Sequence, residues 1–245
     1  MSKTETIRDF IAPRDELEAE LADMKAGERL AYLRERFGDR LVASTSFGIQ
    51  SAVMLDLIAR HAPEMPVVFV DTGHLFPETY HYAEQLVERF GTDLRVYQPQ
   101  MTAARMEALY GRLWELDEKS QERYAMITKI EPMARALKEL GAEAWVAGVR
   151  RSQSNSRHDR AMVEPQKRTL KVYPIFDWAD AQVSAYMREN KLPIHPLAGQ
   201  GYVTMGDWHS TVPASPEIEA EKTRFNGTKY ECGLHLESNN QDFQI

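Results

Sequence analysis

From about Pro13 to Phe37, apolar side chains recur near helical spacing at Leu17, Leu21, Met24, Leu30, Leu33 and Phe37, which predicts an amphipathic helix. Then the period changes. Leu41-Val42-Ala43-Ser44 is a short apolar run, Ser46-Phe47-Gly48 a turn, and Ile49 to Arg60 a helix with an apolar stripe. Pro66 precedes a second strand, Val67-Val68-Phe69-Val70, which ends at Asp71-Thr72-Gly73. Pro77 suits the first turn of the next helix, which runs to Phe90. Leu94-Arg95-Val96-Tyr97 is a third strand, and helical stretches follow at Met101–Leu109 and Gln121–Leu140. Ala144 to Val149 is a fourth strand and Lys171 to Ile175 a fifth, before a last helix from Ala179 to Asn190. Short strands alternating with longer helices predict an α/β fold, a parallel sheet with helices on both faces. After about Lys191 the pattern fades into Pro, Gly and polar residues. The organisation expected is a helical N-terminal arm (1–40), an α/β domain (41–190) and an irregular C-terminal tail (191–245).

Composition narrows the function more than the fold. Of 245 residues, 43% are apolar and 27% charged, an ordinary globular balance. Thirty basic against 37 acidic residues leave −7, which disfavours a nucleic-acid or membrane-surface binder. No uncharged apolar run reaches a membrane span, and Met1-Ser2-Lys3-Thr4-Glu5 lacks the apolar core of a signal peptide, so a cytoplasmic location is expected. A single cysteine, Cys232, excludes an internal disulfide, a four-thiolate iron–sulfur cluster and a Cys-rich zinc site. His74 and His81 are seven apart and no His-Glu-x-x-His occurs, so no metal is expected. Met126 and Met133 read as core.

In open α/β sheets, ligands bind beyond the carboxyl ends of the strands, which directs attention to three segments. Ser44-Thr45-Ser46-Phe47-Gly48-Ile49-Gln50-Ser51 joins the first strand to its helix. Its hydroxyls, its glycine and a helix N-terminus can cradle an anion, or can simply cap the helix. It is not a Walker A sequence, since no Gly-Lys-Ser/Thr ends it. Asp71-Thr72-Gly73 could offer a carboxylate to a ribose hydroxyl or a base amine; spacing alone favours an Asx-turn that ends the strand. Residues 150–171 hold seven basic side chains (Arg150, Arg151, Arg157, Arg160, Lys167, Arg168 and Lys171) against Asp159 and Glu164. A charge run is usually a solvated face, but this one begins where ligands bind, and forked guanidinium groups suit phosphate and sulfate. Cys232 sits in a polar tail beside Gly233, a poor place for a core residue. Lys229 and His235 favour its thiolate and Glu231 opposes it.

Together these segments resemble the thioredoxin-dependent phosphoadenylyl sulfate (PAPS) reductases of assimilatory sulfate reduction. The resemblance runs from about Leu41 to His235 in the family order. Ser44 to Gln50 is similar to the family's modified phosphate loop, and Val70-Asp71-Thr72-Gly73 with Leu75-Phe76-Pro77-Glu78-Thr79-Tyr80 to its Asp-Thr-Gly motif. Gly148-Val149-Arg150-Arg151-Ser152-Gln153-Ser154, with Arg157, is similar to its arginine loop. Gly206-Asp207-Trp208-His209-Ser210-Thr211 and Glu231-Cys232-Gly233-Leu234-His235 complete the set. Family members often carry Arg before that last Glu; Tyr230 stands here and removes one positive charge.

The resemblance implies a Rossmann-like fold shared with the ATP pyrophosphatases and adenine nucleotide alpha hydrolases, and a homodimer. It implies reduction of 3′-phosphoadenylyl sulfate to sulfite and adenosine 3′,5′-bisphosphate, with Cys232 as nucleophile. The substrate-binding set expected is Ser44, Ser46, Phe47, Gly48, Gln50, Asp71, Thr72, Gly73, Arg150, Arg151, Gln153, Ser154, Arg157, Lys167, Arg168 and His235. Arg150, Arg151, Arg157, Lys167 and Arg168 are the candidates for the 3′-phosphate, and the sequence does not divide them between that group and the sulfate. A lone cysteine cannot resolve its own S-sulfonate, so an external dithiol, reduced thioredoxin or else glutaredoxin, is the expected partner. No metal or cluster is expected as cofactor. The sister reading is an adenylyl sulfate reductase without an iron–sulfur cluster. An Mg²⁺-dependent nucleotide-activating ligase is weaker, because Ser46-Phe47-Gly48-Ile49-Gln50-Ser51 lacks the acidic residue and double glycine of such loops. A non-enzymatic nucleotide-binding regulator would have no use for Cys232.

Overall fold

Side chains of β1 (Leu41–Thr45) alternate between two apolar clusters: Leu41 and Ala43 enter one, Val42 the other. Such a two-residue period is what a strand covered on both faces requires. The computed structural model describes residues 14–153, 160–166, 169–215 and 223. Around β1 lie β2 (Val67–Val70), β3 (Leu94–Tyr97), β4 (Ala144–Val146), β5 (Val163–Pro165) and β6 (Leu170–Val172). They form one six-stranded sheet in the order β3-β2-β1-β4-β6-β5. Every pair is parallel except β5 with β6. Ala43 stands opposite Val67, Val42 opposite Trp145, and Trp145 opposite Lys171.

The larger face packs against α1 (residues 14–21), α2 (Ala26–Phe37) and α3 (Ser51–His61). In α2 the buried positions Ala26, Leu30, Leu33 and Phe37 recur every three or four residues, so one stripe faces the sheet. The predicted helix over 13–37 is thus two helices broken at residues 22–25. Glu28 accepts the Lys25 backbone N–H at 2.7 Å, and the Arg29 guanidinium donates to the Leu21 and Ala22 carbonyls at the end of α1. Arg29 also forks onto Asp177 at 2.8 and 2.9 Å and reaches the Pro174 carbonyl, which ties both helices to the segment after β6.

The opposite face carries Val42, Val68 and Trp145 against Met133 and Ala136 of α7 (Glu131–Glu139). The larger cluster also takes Tyr82, Ala83 and Leu86 of α4 (Pro77–Phe90) and Val183 of α8 (Asp180–Glu189), while α5 (Ala103–Tyr110) and α6 (Glu118–Ala125) bury Met106 and Tyr124 in a third cluster with Leu113 and Trp114. The single helix expected over 121–140 is α6 and α7 joined by one π-helical turn, Met126–Ile130. The sixth strand lies where the sequence showed only a cationic run. Val163-Glu164-Pro165 is three residues long and ends in Pro, too short and irregular a signal to read as a strand. Residues 191–215 lack regular strands but pack closely: His195, Leu197, Met205 and Asp207 are all buried. Among the described residues, no helix is long and apolar enough to cross a membrane.

Candidate functional site

The chain leaves β1 for β2 and β3 on one side and returns through β4 on the other, so β1 and β4 flank the topological switch point. Open α/β sheets leave their ligand crevice beyond the strand ends there. The loop after β1 is shaped from within. The Thr45 hydroxyl accepts the Phe47 N–H at 3.1 Å, and Ser51 donates to the Gly48 carbonyl through both its N–H (3.0 Å) and its hydroxyl (2.8 Å). Phe47 takes φ +49°, in the left-handed region that a bulky side chain avoids. Its ring is wholly buried and meets Phe69 edge-on, with centroids 4.9 Å apart. Ser44 accepts the Trp145 indole N–H at 2.7 Å, which leaves the serine proton for another acceptor. Ser46 is exposed.

The loop after β4 is fastened to this one. Arg150 is 3% exposed; its guanidinium donates to Gln50 Oε1 (2.5 Å), Ser152 Oγ (3.1 Å) and Asp180 Oδ1 (2.5 Å). Gln153 accepts the Arg150 backbone N–H at 3.1 Å. Arg150 therefore clamps the two loops and the start of α8 together, while the neighbouring Arg151 is exposed with its guanidinium over Phe176 at 4.9 Å. A Cβ at Gly148 would stand 2.9 Å from Met54 Cγ, so a side chain there would force Met54 to move. Of the other cations in the run, Lys171 is no loop residue. It is wholly buried in β6, with its ammonium 3.8 Å from the Trp145 ring centre. Arg160 lies 3.8 Å from Glu164 in the β5 arm.

After β2, Asp71 forms the Asx-turn its spacing suggested. Oδ1 accepts the Gly73 N–H at 2.9 Å and the Tyr80 hydroxyl at 2.7 Å, and Oδ2 accepts the Gln98 amide at 3.0 Å. Gly73 sits at φ +75°, which the turn requires. Burial, then Asp71, pushes the Tyr80 phenol upward, so it stays a donor.

Beside this turn lies a buried polar cluster that the sequence reading did not assemble. The Thr72 hydroxyl donates to Asp207 Oδ1 at 2.6 Å, and Lys129 Nζ lies 2.6 Å from Asp207 Oδ2. Asp207 is wholly buried and Lys129 6% exposed. Burial pushes the Asp207 carboxyl up, but the Lys129 charge and hydrogen bond, the Thr72 hydroxyl and His209 outweigh it and hold the group down to about 2. Backbone pairing adds to this anchor: Trp208 N–H donates to the His74 carbonyl at 2.8 Å, and Leu75 and Asp207 form a β-bridge. The Tyr124 hydroxyl lies 3.3 Å from His74 Nδ1 and 3.0 Å from His209 Nε2, and His209 stacks on Trp114 at 4.0 Å. The signal was visible in hindsight. Lys129 falls on the stripe Met126, Lys129, Met133, Ala136, a charge on an otherwise apolar helix face.

Of the expected substrate-binding residues, the structure gathers Ser44, Ser46, Phe47, Gly48 and Gln50, Asp71, Thr72 and Gly73, and Arg150, Arg151 and Gln153 at the carboxyl ends of β1, β2 and β4. Ser154, Arg157, Lys167, Arg168, Cys232 and His235 lie outside the described residues. Among the described residues, no group of three His, Cys, Asp or Glu side chains could hold a metal.

The profile of the phosphoadenosine phosphosulfate reductase domain matches residues 40–213. A phosphoadenosine 5′-phosphosulfate reductase from Synechococcus sp. is 49% identical over 223 residues, covering 90% of this chain and 96% of its own. One from Alkalilimnicola ehrlichii is 48% identical over 221 residues, covering 90% of each chain. Among solved structures, the Candida auris phosphoadenylyl-sulfate reductase in its phosphate complex aligns with a TM-score of 0.70 at 33% identity, over 81% of this chain and 95% of its own. Candida glabrata FMN adenylyltransferase shares the fold alone, with a TM-score of 0.57 at 15% identity, over 82% of this chain and 73% of its own.

Proposed function

The chain belongs to the phosphoadenosine phosphosulfate reductase family, and from that premise we propose that it reduces 3′-phosphoadenylyl sulfate in sulfate assimilation through a covalent intermediate on Cys232. The observation that carries this reading is the meeting of three family-matching loops, 44–50, 71–74 and 150–153, beyond the carboxyl ends of β1, β2 and β4, with Gln50 and Arg150 in direct contact.

The Cys232 thiolate attacks the sulfur of the bound sulfo group. A sulfur–sulfur bond forms, the bond from sulfur to the bridging phosphate oxygen breaks, and adenosine 3′,5′-bisphosphate leaves with the electron pair. Covalent catalysis of this kind divides one hard displacement into two easier ones. The Ser44 and Ser46 hydroxyls and the Arg151 guanidinium suit the anionic oxygens of substrate and leaving group. Arg150 serves differently: its hydrogen bonds hold the loops in register. Reduced thioredoxin then attacks Cys232 Sγ, and sulfite departs with the electron pair that takes sulfur from the +6 to the +4 state. The second thioredoxin thiol closes the thioredoxin disulfide and releases the Cys232 thiolate. With one cysteine in the chain, the S-sulfonate is left to an external thiol reductant, a role that a dithiol such as thioredoxin suits. No metal or cluster enters these steps. The enzyme in this reading is a thioredoxin-dependent, cytoplasmic homodimer that requires the 3′-phosphate.

Intact mass of the reduced, full-length protein tests this directly. Mixed with PAPS and no thioredoxin, it is expected to gain one sulfonate on Cys232, and Cys232→Ser to gain none while still binding nucleotide. An equal adduct from adenylyl sulfate would overturn the specificity. Sulfite formation by Cys232→Ser at the wild-type rate would overturn the mechanism.

A further inference from the structure

Buried ion pairs are poor stabilisers, since desolvation offsets most of their attraction and a well-packed apolar pair commonly serves better. The Lys129–Asp207 pair therefore calls for another reason, and its neighbours supply one. Asp207 spans three separate segments: Thr72 at the end of β2, Lys129 in the π-helical turn between α6 and α7, and its own stretch, 207–211. Its backbone carbonyl is fixed as well, accepting the Ser210 N–H at 3.1 Å and the Thr211 hydroxyl at 2.9 Å. A π-turn is an uncommon departure from the helix and is frequent at functional sites. Here it places a lysine among buried residues, one carboxylate away from the 71–74 loop.

We infer that Asp207 is a positioning residue, which holds the Lys129 ammonium and the Thr72 hydroxyl in one arrangement so that a cation stands fixed beside the β2 loop before an anionic substrate arrives. This deepens the proposed reductase reading and rests on it. Lysine has a long, rotamer-rich side chain; held by Asp207, it gives up that freedom in folding and not at the reaction. A fixed cation in a partly dry site also acts on developing negative charge without reorganising. Asp207 itself touches no reacting atom. It acts through Lys129 and Thr72.

The test compares the reduced wild-type protein with Asp207→Asn and with the double variant Lys129→Gln/Asp207→Asn, which leaves no unpaired buried charge. Each is mixed with saturating PAPS without thioredoxin, and the rate of S-sulfonate formation on Cys232 is followed by rapid quench and intact mass. Binding of adenosine 3′,5′-bisphosphate and the thermal transition are measured on the same samples. Asp207→Asn is expected to form the adduct at least tenfold more slowly per folded molecule, with product-nucleotide affinity within threefold of wild type. The double variant is expected to melt cooperatively, to bind that nucleotide, and to react a hundredfold or more slowly; it decides alone if Asp207→Asn does not fold. A double variant as fast as wild type would show the pair to be structural only, and Asp207→Asn at the wild-type rate would show that Lys129 needs no holding. Either result overturns the inference and leaves the reductase reading intact. A wild-type protein that binds PAPS and forms no adduct removes both.

Discussion

Phe47 concentrates the conflict between backbone and side chain at the site. A bulky residue at φ +49° carries local strain of roughly 1–3 kcal/mol. Against that, full burial of its ring contributes about 1.5–3 kcal/mol, and the edge-on contact with Phe69 about 0.5–1.5 more. Packing wins, and the loop after β1 is held in a shape its backbone would not choose. A specific reversal follows. Phe47→Ala gives up the ring and keeps the strain, so it should cost about 3–5 kcal/mol. Phe47→Gly gives up the same ring but relieves the backbone, and should unfold at a higher denaturant concentration than Phe47→Ala. Gly ordinarily ranks below Ala in regular structure, so an Ala variant more stable than the Gly variant would show that φ here stores nothing. The sequence placed Phe47 in a turn beside Gly48, and no pattern of polar and apolar residues shows which of the two bends the chain.

Among the elements, the strand-end loops matter more than any one of them. Arg150 bonds Gln50, Ser152 and Asp180 at once, an arrangement that needs the planar fork of a guanidinium. Arg150→Lys keeps the charge and loses the fork, so the loops after β1 and β4 should come out of register. Steady-state kinetics should show KM for PAPS raised tenfold or more with kcat within threefold. A kcat loss at unchanged KM would mean instead that Arg150 meets the reacting group. The strands that carry these loops were legible because each is an apolar run closed by turn residues: Leu41 to Ser44, Val67 to Val70, Ala144 to Val149. The arginine's partners were not, because Gln50 and Arg150 are 100 positions apart and only the parallel pairing of β1 with β4 joins their ends. The π-turn was hidden for the opposite reason. Apolar periodicity runs through it without a break, so the pattern reads as one helix and Lys129 as an incidental charge on it.

For the molecule as a whole, the question is how far the N-terminal helices belong to the nucleotide-binding body. Nothing in their sequence carries chemistry, and amphipathic spacing alone suits an arm as well as a core layer. The contacts are those of a core layer: Leu17, Leu21, Leu30 and Leu33 are each wholly buried in the cluster that contains Leu41, Val67 and Val146. Each such side chain contributes about 1.5–3 kcal/mol, and native domains keep a margin of only about 5–15 kcal/mol. Arg29 adds a forked ion pair to Asp177 across nearly 150 positions of chain. A protein beginning at Leu41 should therefore lose an amount comparable to its whole margin. It should show no cooperative thermal transition and no fixed aromatic circular dichroism, and no binding of adenosine 3′,5′-bisphosphate. If that shortened chain melts cooperatively and binds the nucleotide as the full chain does, the first forty residues are an appendage, and the buried leucines stabilise only the helices that carry them.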